Sequence, residues 1–279
     1  MNELVTQFLQ RDVLRHIVHL KMLAAYPGAI QGWHFADGLS EGVLLLLETQ
    51  ASPFDAKTYP TTKYVVLPTV TDQRAAKALL EYIPTDCDLV FKLIDSPAQA
   101  VMSSEFALQR KTAYISYTGI RPVEQISNLP STADVCITDR LDARCLPLYA
   151  ANGYSGEEVA DYFVRGTFAA TVYEQGDPVS TCFCFPNYGT VWEIAGVHTI
   201  TSHRRRGLAR RVVAAALNEL LGRGLVPRYQ VYEDNLPSIR LAEAMGLERF
   251  LITEHFLCNC SPSRRFLRVC AGKTVSWGR

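Results

Sequence analysis

The chain carries no excess of either charge: Lys+Arg and Asp+Glu are both 28. No global field therefore draws it to nucleic acid or to a membrane surface. It has no apolar run near the roughly 20 residues of a membrane-spanning helix; Gly42–Leu47 reads as a short buried strand. Its first residues, Met1-Asn-Glu-Leu, lack the basic and apolar regions of a signal peptide. These absences point to the cytoplasm, with no membrane and no nucleic-acid partner. Zinc-knuckle spacing is missing as well. There are eight cysteines, but Cys182-x-Cys184 and Cys258-x-Cys260, with His255 nearby, are C-x-C and not C-x-x-C pairs. They read as small buried side chains in a reducing compartment, and no metal is expected.

What is present is ordinary for a globular protein: 48% hydrophobic and 20% charged residues over a length that suits one large domain or two of modest size. Strand-like and helix-like segments alternate, which predicts an α/β fold. A helix is expected over Asn2–Ala24, strands at Gly42–Glu48 and Lys63–Leu67, and a helix at Asp72–Tyr82. A strand at Cys87–Leu93, a helix after Pro97 and a strand at Thr112–Tyr117 follow. The stretch Ile120–Pro130, with two prolines and a serine, reads as a linker. Beyond it come a strand near Val135, helices at Leu141–Ala151 and Glu157–Val164, and a hairpin of Thr167–Glu174 with Val179–Phe185 turning at Gly176-Asp177-Pro178. The order then runs strand Trp192–Thr199, helix Gly207–Leu221, strand Pro227–Tyr232, helix Leu236–Met245 and strand Arg249–Cys258.

The most informative stretch is Ser202-His-Arg-Arg-Arg-Gly-Leu-Ala-Arg-Arg211, between a strand and a helix. A turn at Gly207 presents a helix N-terminus whose free N–H groups and positive dipole end favour an anion, a pyrophosphate in particular. Successive N–H groups in the turn add a concave nest for phosphate oxygens. The two halves also run in parallel. Tyr64–Thr69 before the Asp72 helix mirrors Ile194–Thr199 before the Gly207 helix, and Leu89–Ile94 mirrors Tyr229–Tyr232. In the first copy the turn has Arg74 and no glycine, so its anion site is missing.

Arg204-Arg-Arg-Gly207-Leu208-Ala209 after a strand and before a helix, with Asp234-Asn235-Leu-Pro-Ser238 through Met245-Gly246-Leu247 further on, resembles the GNAT superfamily of acyl-CoA-dependent N-acyltransferases over about residues 133–260. The resemblance implies tandem GNAT-like units, each a twisted mixed β-sheet flanked by helices. It divides the chain into a degenerate domain over 1–120, a linker over 121–132 and a catalytic domain over 133–279. It implies that the donor is acetyl-CoA, that Arg204, Arg205, Arg206, Gly207, Leu208, Ala209 and Arg210 hold its pyrophosphate, and that no metal is needed. It also implies that the backbone of Val197, His198 and Thr199 holds the pantetheine arm and polarises the thioester carbonyl, with Asn235 and Ser238 facing it.

Glu193, eleven residues before Arg204, stands where many members carry a general base. The Tyr that often protonates the leaving thiolate is Ala242 here. Tyr232 is a weak substitute, and His198 is an alternative base. Tyr149, Tyr154 and Tyr162 are expected on the wall of the acceptor pocket. The implied reaction is direct transfer to the primary amine of a small molecule in a ternary complex, since no cysteine falls in the motif. Residues 141–165 form no acidic run to grip a basic peptide. The alternatives are a catalytically silent CoA-binding module, an acetyltransferase acting on a protein amine, and a nucleic-acid binder using the arginine loop.

Overall fold

A computed structural model describes residues 3–119 and 130–259. The expected linker lies largely outside these residues, as does Cys260. The described residues form two compact units, 3–112 with 253–259, and 113–119 with 130–252. The packing units are thus not sequential blocks, because the chain changes unit inside two strands.

In the first unit, α1 (Glu3–Gln10) and α2 (Ile17–Ala25) replace the single expected helix. The break has a local cause: the Asp12 carboxylate accepts the Arg15 backbone N–H at 3.0 Å, competing with helical bonding. The strand β1 (Ile30–Asp37) turns at Gly38 into β2 (Ser40–Glu48). A short helix α3 (Pro53–Thr58) follows, capped by Ser52, and then β3 (Tyr64–Val70), α4 (Gln73–Leu79), β4 (Leu89–Leu93) and α5 (Ser96–Glu105). Sequence patterning missed β1 and α3: β1 is half-buried without clean alternation, and α3 is too short to show a period.

The remaining strands and helices are β5 (Gln109–Thr118), β6 (Val135–Thr138), α6 (Leu146–Ala150), α7 (Gly156–Val164), β7 (Phe168–Glu174), β8 (Asp177–Tyr188), β9 (Val191–Thr199), α8 (Leu208–Gly222), β10 (Val226–Tyr232), α9 (Leu236–Ala244) and β11 (Glu248–Cys258). The β7–β8 turn is Gln175-Gly176, at φ 54° and 90°, and Asp177-Pro178 already belongs to β8. Two adjacent positive-φ residues are what a tight hairpin requires.

Strand order is β1-β2-β3-β4-β11 in the first unit and β6-β7-β8-β9-β10-β5 in the second. Each order contains one parallel pair, β3 with β4 and β9 with β10, followed in each case by an antiparallel strand. Both parallel ladders stop early, at Val66↔Phe91 and at Ile194↔Tyr229. The helix α8 covers one face of the second unit, where Val212, Val213, Ala216, Leu217 and Leu220 bury against Cys182, Cys184 and Ile194. The opposite face carries α6 and α7 over Phe183, Phe185 and Ala195. Cys182 and Cys184 are therefore core residues. Burial pushes both thiols up, Cys182 to about 12.

Candidate active site

The site is built where β9 stops pairing with β10. The cause is a bulge in β9. On the β8 side the partners run Thr181↔His198 and then Phe183↔Ala195, so Gly196 and Val197 of β9 stand against Cys182 alone and β9 holds one extra residue. Gly196 sits at φ 61°, and a Cβ there would lie 2.3 Å from Cε1 of Phe183. Only glycine fits. Beyond Ile194, Ala195–Thr199 have no β10 partner among the described residues, and a crevice opens between two parallel strands.

The arginine loop lies at the end of this crevice. After a 3-10 turn at Thr201–His203, Arg205 takes φ 63° and Gly207 φ 78°, and α8 begins at Leu208. Two left-handed residues so close together make a nest of backbone N–H groups running into a helix N-terminus. A Cβ at Gly207 would meet no protein atom within 4 Å, so its left-handed backbone, not crowding by the protein, selects glycine. The arginine side chains divide. Arg206 pairs with Glu174, Arg211 with Asp134, and Arg204 Nε donates to the Thr199 carbonyl at 3.1 Å. Arg205 and Arg210 are exposed and form no ion pair among the described residues.

Val197, His198 and Thr199 are half-buried on the crevice strand. The Val197 carbonyl accepts from Asn152 Nδ2 at 3.3 Å. His198 lies opposite Thr181, whose hydroxyl bonds to Tyr149, so its ring is on the α6–α7 face. Burial, and then the charge of Arg204, lower its pKa. Asn235 caps α9 through its side-chain oxygen, which accepts the Ser238 backbone N–H at 3.2 Å. Ser238 stands beside the phenol of Tyr229, which burial raises to about 12.

Glu193 is buried, 6% exposed, on the α6–α7 face opposite Phe185. Its Oε2 accepts from Asn187 Nδ2 at 2.8 Å and from the guanidinium of Arg228. Arg228 is in register with it on β10, is 3% exposed, and also donates to Ser116 Oγ at 3.0 Å. Tyr154 stands near enough that the Glu193 charge, after burial, raises its phenol. Tyr149, Tyr154 and Tyr162 pack around Phe183, and Tyr162 stacks on Phe185 at 4.3 Å. Ala242 is fully buried in the α8-side core and offers no hydroxyl. Tyr232 is 43% exposed, with its ring 4.4 Å from that of Tyr114.

Sequence reasoning missed Arg228, Asn187, Ser116 and Gly196. Two of them left a trace: an arginine inside the apolar strand Val226–Tyr232, and a glycine inside β9, where such a residue marks a bulge.

The order strand, arginine–glycine loop and helix, on which the sequence resemblance rests, is present as β9, residues 200–207 and α8. The GNAT acetyltransferase family model matches residues 157–251, from α7 through β7, β8, β9, the loop, α8, β10 and α9 into the start of β11. Residues 157–251 are thus similar to a GNAT acetyltransferase domain. Solved structures share the fold along most of the chain. An acetyltransferase from the GNAT family of Colwellia psychrerythraea is 13% identical, with 93% of this chain and 98% of that one covered and a TM-score of 0.58. A GCN5-related N-acetyltransferase from Kribbella flavida is 18% identical, with 88% and 95% covered and a TM-score of 0.53. A tandem GNAT protein from the clavulanic acid biosynthesis pathway is 12% identical, with 88% of both chains covered and a TM-score of 0.52. No curated protein sequence matches the chain. The fold is α/β, with a mixed sheet flanked by helices, and tandem GNAT proteins are among its structural neighbours. Among the described residues no cluster of His, Cys, Asp or Glu is placed to hold a metal ion, and no helix is long and apolar enough to cross a membrane.

Proposed function

We propose that the protein transfers the acetyl group of acetyl-CoA to the primary amine of a small molecule, by direct attack in a ternary complex in the cytoplasm. The observation that carries this reading is the left-handed loop Arg204–Gly207, which feeds α8 beside the open end of the β9–β10 ladder. In this reading the loop and first turn of α8, Arg204 to Arg210, take the pyrophosphate. The backbone of Val197, His198 and Thr199 takes the pantetheine and polarises the thioester carbonyl, and Asn235 and Ser238 border the arm.

Glu193 is the general base. The acceptor arrives as an ammonium ion and gives one proton to the carboxylate. The free amine attacks the thioester carbonyl carbon, the C–N bond forms, and the C–S bond breaks with its electron pair left on sulfur. The thiolate takes the second proton from the nitrogen, directly or through water, since Ala242 supplies none. A small acceptor is favoured because two of the three carboxylates of α7 are engaged locally: Asp161 pairs with Arg165, and Glu158 accepts from Tyr162.

The same reading assigns catalysis to residues 133–279 and a degenerate role to 1–120. In the first unit, α4 begins at Asp72, whose carboxylate accepts the Ala75 N–H and the Ser40 hydroxyl. The Asp95 carboxylate takes the Val70 N–H at 3.2 Å, where β3 has left β4, and also the Ala98 N–H of α5 at 2.9 Å. The chain's own carboxylates fill the places that the second unit leaves to an anionic ligand. The buried Ala242 favours a second reading, a CoA-binding module without turnover.

Calorimetric titration of acetyl-CoA into the wild type and Gly207→Glu tests the proposal. Micromolar binding by the wild type, lost in the variant, supports the site. No binding by the wild type overturns it. Retained binding without thiol release for any of a panel of amines selects the silent module.

A further inference from the structure

Building on the assignment of Glu193 as base, we infer that Arg228 is its positioning residue and that Ser116, on the last strand of the N-terminal half of the sequence, holds Arg228 in place. A buried ion pair is a poor stabiliser, because desolvating two charges offsets most of their attraction. The side chains of this pair are 4% and 8% exposed, and Arg228 Nε has no hydrogen-bond partner among the described residues. An apolar pair of similar volume would serve the fold as well, so the charges call for another reason.

The geometry supplies one. Arg228 and Asn187 both donate to Oε2 of Glu193, and no described residue donates to Oε1. One oxygen is saturated and fixed. The other is the only one left to take a proton, and the pair aims it. The guanidinium itself is held from both ends: one amino group on Glu193, the other on Ser116 Oγ at 3.0 Å. The strand carrying Ser116, β5, is antiparallel to β10, and Thr118 Oγ1 donates to the Pro227 carbonyl at 2.8 Å beside it. The support of the base therefore begins at residue 116, ahead of the block 133–279 that carries the family motif. This gives the N-terminal half a part in catalysis that requires no ligand of its own.

The test uses the full chain with acetyl-CoA alone. Water takes the place of the amine, gives its proton to the carboxylate and attacks the thioester, and the released thiol is read against pH. Glu193→Gln is measured first. A loss of about 100-fold or more in kcat supports the base assignment, and an unchanged rate overturns that assignment and the inference with it. With the base supported, Arg228→Met should lower kcat by at least about tenfold, because the free carboxylate oxygen is no longer aimed. The KM for acetyl-CoA should stay within about twofold, and Arg228→Lys should restore part of the rate. Ser116→Ala should give a smaller change of the same kind. Should Arg228→Met fail to fold, Arg228→Lys and Ser116→Ala carry the test through a lowered kcat at an unchanged KM for acetyl-CoA. A kcat unmoved in folded variants, with Glu193→Gln inactive, overturns the positioning role and leaves the base assignment standing.

Discussion

An added methyl at Gly196 would lie 2.3 Å from a Phe183 ring carbon, whereas at Gly207 it would meet open space, although both glycines sit at positive φ. The two residues should respond differently to alanine. Gly196→Ala combines a steric clash with left-handed strain and should cost about 2–4 kcal/mol. Thermal melts should show a drop of several degrees, and acetyl-CoA affinity should fall with the lost bulge. Gly207→Ala carries only the strain, about 1–2 kcal/mol, so its melt should move little. Its affinity should nevertheless fall by tenfold or more, because the methyl enters the space left to the phosphates. Equal losses of affinity and stability at Gly207 would refute this account of the loop.

At the scale of the element, the arginine loop is a single device with two classes of side chain. Arg204, Arg206 and Arg211 are tied to the Thr199 carbonyl, Glu174 and Asp134, and they fix the loop. Arg205 and Arg210 remain available to an anion. Replacing either by alanine should weaken acetyl-CoA binding about tenfold, the effect of one charge-assisted hydrogen bond, with little change in melting. Arg206→Ala should do the reverse, and calorimetry paired with melts separates the two. The loop was legible in the sequence because its meaning is local: a strand, a glycine and a helix within a few residues. The support of the proposed base was not. Glu193 and Arg228 are 35 residues apart and Arg228 and Ser116 are 112 apart, and only strand order makes them neighbours. The first helix was misread for the opposite reason, since a single local bond from Asp12 overrode a continuous helical pattern.

For the whole molecule, the proposed site lies in one unit, and one acetyl-CoA should bind per chain; a stoichiometry of two would show that the carboxylates of Asp72 and Asp95 do not block the first unit. That unit also carries a cluster of buried histidines. Burial lowers His16, His19 and His255, His19 to about 3, helped at His19 by His16, Arg15 and Lys92 and at His255 by Lys92. Nearby, Asp95 is raised by its own burial, and Lys92 is paired with Asp55. A histidine whose folded pKa lies below its unfolded value of about 6.5 binds its proton only in the unfolded chain. Stability from these residues is complete above about pH 6.5 and is lost as pH falls below it, by about 1.4 kcal/mol for each unit of depression still to be crossed. Urea midpoints should therefore decline from pH 7 to pH 5, and a flat profile would show that the histidines are solvated.

The sequence alone determined the α/β class, most element positions, the glycine–arginine loop and the absence of the usual tyrosine at Ala242. Each is set by neighbours along the chain: hydrophobic period, left-handed backbone, helix termini. The tertiary structure decided the rest. Strand order placed Arg228 beside Glu193 and brought Ser116 to Arg228. The bulge at Gly196 opened β9 from β10. The chain's changes of unit inside β5 and β11 set the packing boundaries. Hydrogen bonds between strands, unlike turns and caps, connect residues with no fixed separation in sequence, so no local pattern records them.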